Sequence, residues 1–117
     1  MSNKPTLIWK KTCDSCRRFK KALDGLGVEY AHREMNADPL SADDISAIMG
    51  EREVKPFLNT RNVVYREKGL ARNPPTRAEA IALLSETNNL LKRPVLMVGD
   101  QRLIGADIEG ARALLSE

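Results

Sequence analysis

Thr6-Leu7-Ile8-Trp9-Lys10-Lys11-Thr12-Cys13-Asp14-Ser15-Cys16-Arg17-Arg18 holds both cysteines of the chain. Thr6 to Trp9 reads as a short buried strand, and Lys10-Lys11-Thr12 as the turn that leaves it. From Ser15 to about Leu26 the apolar positions fall at Cys16, Phe19, Leu23 and Leu26, which makes one stripe of an amphipathic helix. A strand that feeds Cys-x-x-Cys at the start of a helix is the layout of a thiol redox site.

Working outward, Gly25 and Gly27 stop that helix, and Val28 to Met35 alternates well enough for a second strand. Strand–helix–strand at this length predicts a right-handed βαβ unit with parallel strands. Asn36 to Leu40 is a turn cluster, after which Ser41 with Asp44 offers a helix N-cap for a stripe of Ile45, Ile48 and Met49 ending at Gly50. Val54 to Leu58 predicts a second helical piece, and Asn59 to Leu70 a third, anchored by Val63, Val64 and Leu70. Thr76 with Glu79 is a capping box for a helix carrying Ala80, Ile81, Leu83 and Leu84.

The end of the chain changes character. Val95 to Val98 is an apolar strand, Gly99-Asp100-Gln101 a hairpin turn, Arg102 to Ile104 the return strand, and Asp107 the cap of a last helix with Ile108, Ala111, Leu114 and Leu115. The order β-α-β, helical block, β-β-α is that of the thioredoxin-like α/β fold, with four strands in a mixed sheet. We expect a single domain over residues 1–117 with a helical insertion at about 40–90. Pro94 enters the third strand where such folds place a cis-proline beside the active site, although trans is the commoner state of X-Pro bonds in general.

At 117 residues, 42% hydrophobic and 30% charged, the chain has the makeup of an ordinary globular protein. No apolar run reaches the length of a membrane span, and the first residues lack the pattern of a signal peptide. A cytoplasmic location follows as the expectation, and with it no lasting structural disulfide. Residues 1–27 hold seven Lys and Arg against two Asp, so +5 of charge stands there against a net +3 for the chain. Direct nucleic-acid binding is not expected, because an aromatic share of 4% gives little for base stacking. A solvated basic face beside an anion-attracting site is the plainer account.

Cys13 falls at or just before the first helical turn, where unpaired N–H groups and the helix dipole favour a thiolate. Lys10, Lys11, Arg17 and Arg18 add positive charge, and Asp14 opposes them. Cys16 is one turn on and belongs to the apolar stripe, so it should be the more buried of the two. Cys13 is then the attacking thiol and Cys16 the resolving one; the plain alternative is a pair of packing thiols. A metal site is not expected, since about four ligands are needed and only His32 joins the two cysteines. His32 is read as structural or exposed, and Trp9 and Phe19 as core. Arg93, before Pro94, offers a planar fork suited to an oxyanion or carboxylate, or else pairs with a surface carboxylate. Arg61 by itself is one more helix-surface arginine.

Taken together, four features resemble the arsenate reductase (ArsC) family and the related Spx-type regulators. These are Thr12-Cys13-Asp14-Ser15-Cys16-Arg17 after strand one, Asn59-Thr60-Arg61 opening a central helix, Leu91-Lys92-Arg93-Pro94-Val95 before the hairpin, and Arg102-Leu103-Ile104-Gly105 in the last strand. The resemblance implies a nucleophilic Cys13, Arg61 and Arg93 around an oxyanion or thiolate intermediate, and a cis Pro94. In the glutaredoxin-linked arsenate reductases that the chain resembles, thiolate attack on arsenate is followed by reduction with glutathione. For this chain we expect no bound cofactor, glutathione as a reductant, and a small-molecule thiol or glutaredoxin as partner of a monomer. The chain departs from the arsenate reductases in having Gly105-Ala106 where they carry a third arginine before a proline, and in having Cys16 where they usually hold a lone cysteine. Both departures are closer to Spx-like proteins, in which the cysteine pair is a redox switch on a protein that binds the RNA polymerase alpha subunit. That likeness places the contact region near Gly50 to Arg52.

Overall fold

The computed structural model describes residues 4–116. The elements run β1 (Thr6–Trp9), α1 (Asp14–Gly25), β2 (Ala31–Glu34), α2 (Ala42–Met49), α3 (Val63–Glu67), α4 (Arg77–Glu86), β3 (Val95–Val98), β4 (Gln101–Ile104) and α5 (Ile108–Leu115). Single 3₁₀ turns at Lys55–Phe57 and Asn88–Leu90 flank the helices of the middle segment. None of the described helices is long and apolar enough to cross a membrane. The chain forms two compact units, one made of the segment up to Asp38 with the segment from Arg93 onward, the other of Pro39–Lys92.

The first unit is built on a four-stranded mixed sheet of order β2-β1-β3-β4. β1 runs parallel to β2, with Leu7 opposite His32, and antiparallel to β3, with Leu7 opposite Leu96. β3 and β4 close the hairpin with Leu96 opposite Leu103. Side chains alternate across a strand, so Leu7, Leu96 and Leu103 share one face. Against it pack Phe19 and Leu23 of α1 and Ala111 of α5, and Trp9, Val28, Tyr30 and Ile108 cover the margins of this core. The 3–4 spacing of Cys16, Phe19 and Leu23 is what turns one stripe of α1 inward, and all three are buried. Gly27, at a φ of +72°, ends the helix in the left-handed region that a side chain would disfavour.

The second unit owes its helix starts to side-chain caps. Ser41 Oγ accepts from the Asp44 amide at 3.2 Å while the Asp44 carboxylate accepts from the Ser41 amide at 2.9 Å. Thr76 and Glu79 make the same reciprocal pair for α4. Ile45, Ile48 and Met49 of α2 and Ala80 and Leu84 of α4 are buried, with Phe57 and Leu90 from the two turns and Leu91 just after the second.

Three expectations need correcting. The second strand spans four residues rather than eight, because Val28 and Tyr30 act as core cover before pairing begins at Ala31. Val54–Leu58 holds a single 3₁₀ turn, and α3 has only five residues. Val63, expected as an anchor, is 52% exposed: the Asn62 side chain accepts from the Val64 amide and starts α3 there, leaving Val63 on the outer side of its first turn.

Candidate active site

β1 ends at Trp9, and the antiparallel register that sets Ile8 opposite Val95 brings Pro94 beside that same end. The chain then turns, closed by the Cys13 amide donating to the Lys10 carbonyl at 3.0 Å. Glu34, at the end of β2, fixes the turn from the side: its carboxylate accepts from the amides of Lys11 at 2.9 Å and Ala37 at 2.8 Å. Burial pushes this carboxyl up, and the backbone donors of Lys11, Ala37 and Asn36 together more than reverse it, so Glu34 is held below the usual carboxylate range.

This turn delivers Cys13 to the N-cap of α1, with extended backbone dihedrals and no capping hydrogen bond from its own side chain. Its carbonyl accepts the Arg17 amide at 3.0 Å and so begins the helix. Cys13 is half-buried, Cys16 is fully buried, and both are free thiols.

The two sulfurs are driven apart in acidity. Burial pushes the Cys13 thiol up, but hydrogen bonds from the Ser15 and Cys16 side chains, the Cys16 backbone N–H and the Arg93 charge outweigh it, leaving the thiol at about 7 against an ordinary 9.0. Burial pushes Cys16 to about 12, helped by the hydrogen bond it gives to Cys13. At neutral pH one sulfur is substantially thiolate and its neighbour stays protonated. Asp14 opposes the thiolate less than its charge suggests, because Arg17 pairs with it.

Ser15 is a site residue that the sequence reading passed over. Its Oγ is 3.2 Å from Cys13 Sγ, as its place two residues beyond an N-cap cysteine allows. A hydrogen bond worth about 1 kcal/mol changes an ionisation constant about fivefold. Ser15→Ala should therefore shift the thiolate absorbance transition of Cys13 upward by that factor, with Cys16 unaffected; an unchanged transition would show that Ser15 does not hold the thiolate. Glu34 gave no local signal, since its role depends on the β1–β2 register.

Arg93 is half-buried at the entry to β3, and the Arg93–Pro94 peptide bond is cis. Pro94 is buried, and its carbonyl accepts the Gly105 amide at 2.8 Å. Cys13, Cys16, Arg93 and Pro94 thus belong to one unit. Arg61 belongs to the other, exposed in the turn ahead of α3, with its amide donating to Asn59 Oδ1 at 3.1 Å. Trp9 is half-buried and donates through Nε1 to Nδ1 of the exposed His32 at 3.0 Å. Among the described residues no group of three or more His, Cys, Asp or Glu side chains is placed to hold a metal ion.

A close pair of unequal thiols at the head of the first helix, beside a cis-proline on a β-α-β/β-β-α sheet, defines a thioredoxin-like thiol protein. The model of the ArsC family matches residues 8–114, and the chain belongs to that family. Among curated proteins it is similar to the global transcriptional regulator Spx 2 of Lactococcus lactis, 28% identical over 112 residues that span 94% of this chain and 85% of that one. Among solved structures it is similar to an ArsC-family-related protein from Bacteroides fragilis, with a TM-score of 0.78, 30% identity, and coverage of 95% and 97% of the two chains. An arsenate reductase from Vibrio cholerae shares the fold at a TM-score of 0.80 and 16% identity, over 97% and 98% of the chains.

Proposed function

We propose that the protein is a thiol–disulfide oxidoreductase in which Cys13 attacks and Cys16 resolves. The observation that carries this reading is the asymmetry of the pair: a half-buried thiol at a helix N-cap, in contact with Ser15 and near Arg93, next to a fully buried one. The Cys13 thiolate attacks one sulfur of a substrate disulfide, and the other sulfur leaves with the bonding electrons and takes a proton. Cys16 then loses its proton, attacks Cys13 Sγ and releases the bound half as a thiol. The substrate gains two electrons and the pair becomes a disulfide, which two equivalents of a small thiol such as glutathione, or a glutaredoxin, restore. Arg93, and Arg61 as the family resemblance implies, favour an anionic substrate, with Pro94 shaping the backbone beside it.

An oxyanion such as arsenate is the less favoured substrate, since Gly105-Ala106 stands where the family's reductases carry a further arginine. The similarity to the Spx regulators supports a second reading, in which the same pair senses oxidants on a protein that binds RNA polymerase.

The deciding experiment is steady-state reduction of arsenate and of a mixed glutathione disulfide by the wild type, Cys13→Ser and Cys16→Ser. We expect disulfide reduction that depends on Cys13. No turnover above the variants, together with RNA polymerase retained on the immobilised protein, would replace the enzyme reading with the regulatory one.

A further inference from the structure

A groove of about 230 Å³ shares Ser15 with the thiol site and is lined by Ser15, Arg18, Phe19 and Ala22 of α1, by Ala106, and by Ile108 at the start of α5. Ser15 joins it directly to the reactive atom, because its hydroxyl is 3.2 Å from Cys13 Sγ. The groove is apolar along most of its length, with Arg18 its one charged lining group. Within α1, Arg17 is matched by Asp14 and Lys20 by Asp24, and Lys21, which also lacks an ion pair among the described residues, does not line the groove. The Arg18 side chain is exposed and makes no hydrogen bond or ion pair among the described residues. An uncompensated guanidinium at the rim of an apolar trough suits a ligand that brings a carboxylate and a hydrocarbon side chain together.

We propose that this groove is a specificity subsite for polypeptide substrates, recognising an acidic residue and an apolar residue that flank the cysteine being attacked. The inference rests on the proposed attack by Cys13 and adds the class of substrate. A polypeptide fits better than glutathione, which has carboxylates but no apolar side chain to lie against Phe19, Ala22 and Ile108. The acidic side chain meets Arg18, the apolar one fills the trough, and the intervening cysteine sulfur arrives at Cys13 beyond Ser15.

The test uses short peptides whose cysteine is joined by a disulfide to 5-thio-2-nitrobenzoate. Attack by the Cys13 thiolate on the peptide sulfur releases the coloured thiolate, and Cys16 then frees the peptide as a thiol. One peptide carries Glu and Leu beside its cysteine; its relatives replace Glu by Gln or Lys, or Leu by Gly. With the full chain at low salt, the Glu–Leu peptide should react about two- to fivefold faster than the Gln peptide, the advantage expected of one exposed ion pair. The Lys and Gly peptides should be slower than the Glu–Leu peptide as well. Arg18→Gln should level the charge series, and Arg18→Glu should reverse it.

Equal rates across the series, with release still lost in Cys13→Ser, would overturn the subsite and leave the oxidoreductase reading intact. A glutathione disulfide that outpaces the Glu–Leu peptide would overturn the polypeptide assignment. Absence of release from every peptide would overturn both.

Discussion

At pH 7 Cys13 should be alkylated by iodoacetamide roughly five- to tenfold faster than an ordinary cysteine, while Cys16 takes up no label on the same timescale. A thiol at about 7 is half ionised there, and one at the ordinary 9.0 is only about 1% ionised. The roughly fiftyfold gain in thiolate is partly cancelled, since nucleophilicity falls with basicity with a slope of about 0.4–0.5, or about eightfold over this interval. Cys16, buried and held near 12, contributes almost no thiolate. The labelling rate should rise through a midpoint near pH 7 and level off before pH 9. The same ionisation bears on stability. Because the folded state lowers the Cys13 value below the unfolded one, its contribution is full above about 9 and is lost as the pH falls through about 7. Cys13→Ser should abolish fast labelling. Cys16→Ser should keep it but stop after one attack, accumulating one mixed disulfide per chain that mass spectrometry reads directly. Equal labelling of both cysteines, or rapid release of the bound half in Cys16→Ser, would refute the division of roles.

Both units were legible where the pattern is local. Cys16, Phe19 and Leu23 show their common face by spacing alone, and Ser41 with Asp44 shows a helix start within four residues. Where tertiary packing decides, local pattern fails. Val28 and Tyr30 alternate like a strand, yet they lie against the core before β1 offers a pairing partner at Thr6. Val63 has the apolar character of an anchor, and the cap at Asn62 turns it outward. The site divides in the same way. Cys13 at an N-cap follows from the motif, whereas the hold of Glu34 on the Lys11 amide depends on a strand register that no spacing reveals. The basic residues of α1 were read as a group. The structure separates Arg17 and Lys20, matched by Asp14 and Asp24, from Arg18 and Lys21, which have no ion pair among the described residues, and of these two only Arg18 lines the groove.

The largest loss of stability should follow Leu96→Ala. Leu96 is fully buried on β3, opposite Leu7 in the register and in one cluster with Phe19, Leu23 and Ala111. Removing its branched end gives up the transfer free energy of the side chain and leaves a cavity that the flanking β1 and β4 cannot readily close, a cost of about 2–5 kcal/mol. Against a typical total of about 5–15 kcal/mol this is a large fraction, and with a urea slope of about 1–3 kcal/mol/M the midpoint should fall by about 1–3 M. Leu96→Met, which nearly conserves volume, should cost under about 1.5 kcal/mol. Val63→Ala, at an exposed position, should stay within about 0.5 kcal/mol. The site should register the change as well. Arg93 and Pro94 enter β3 directly ahead of Val95 and Leu96, so a loosened strand weakens the placement of the Arg93 charge that helps hold the Cys13 thiolate. In Leu96→Ala the labelling midpoint of Cys13 should therefore move above 7 under conditions where the protein is still folded. If the urea midpoint falls and the thiol midpoint stays, the core and the site are independent, and the packing of β3 is not what positions Arg93.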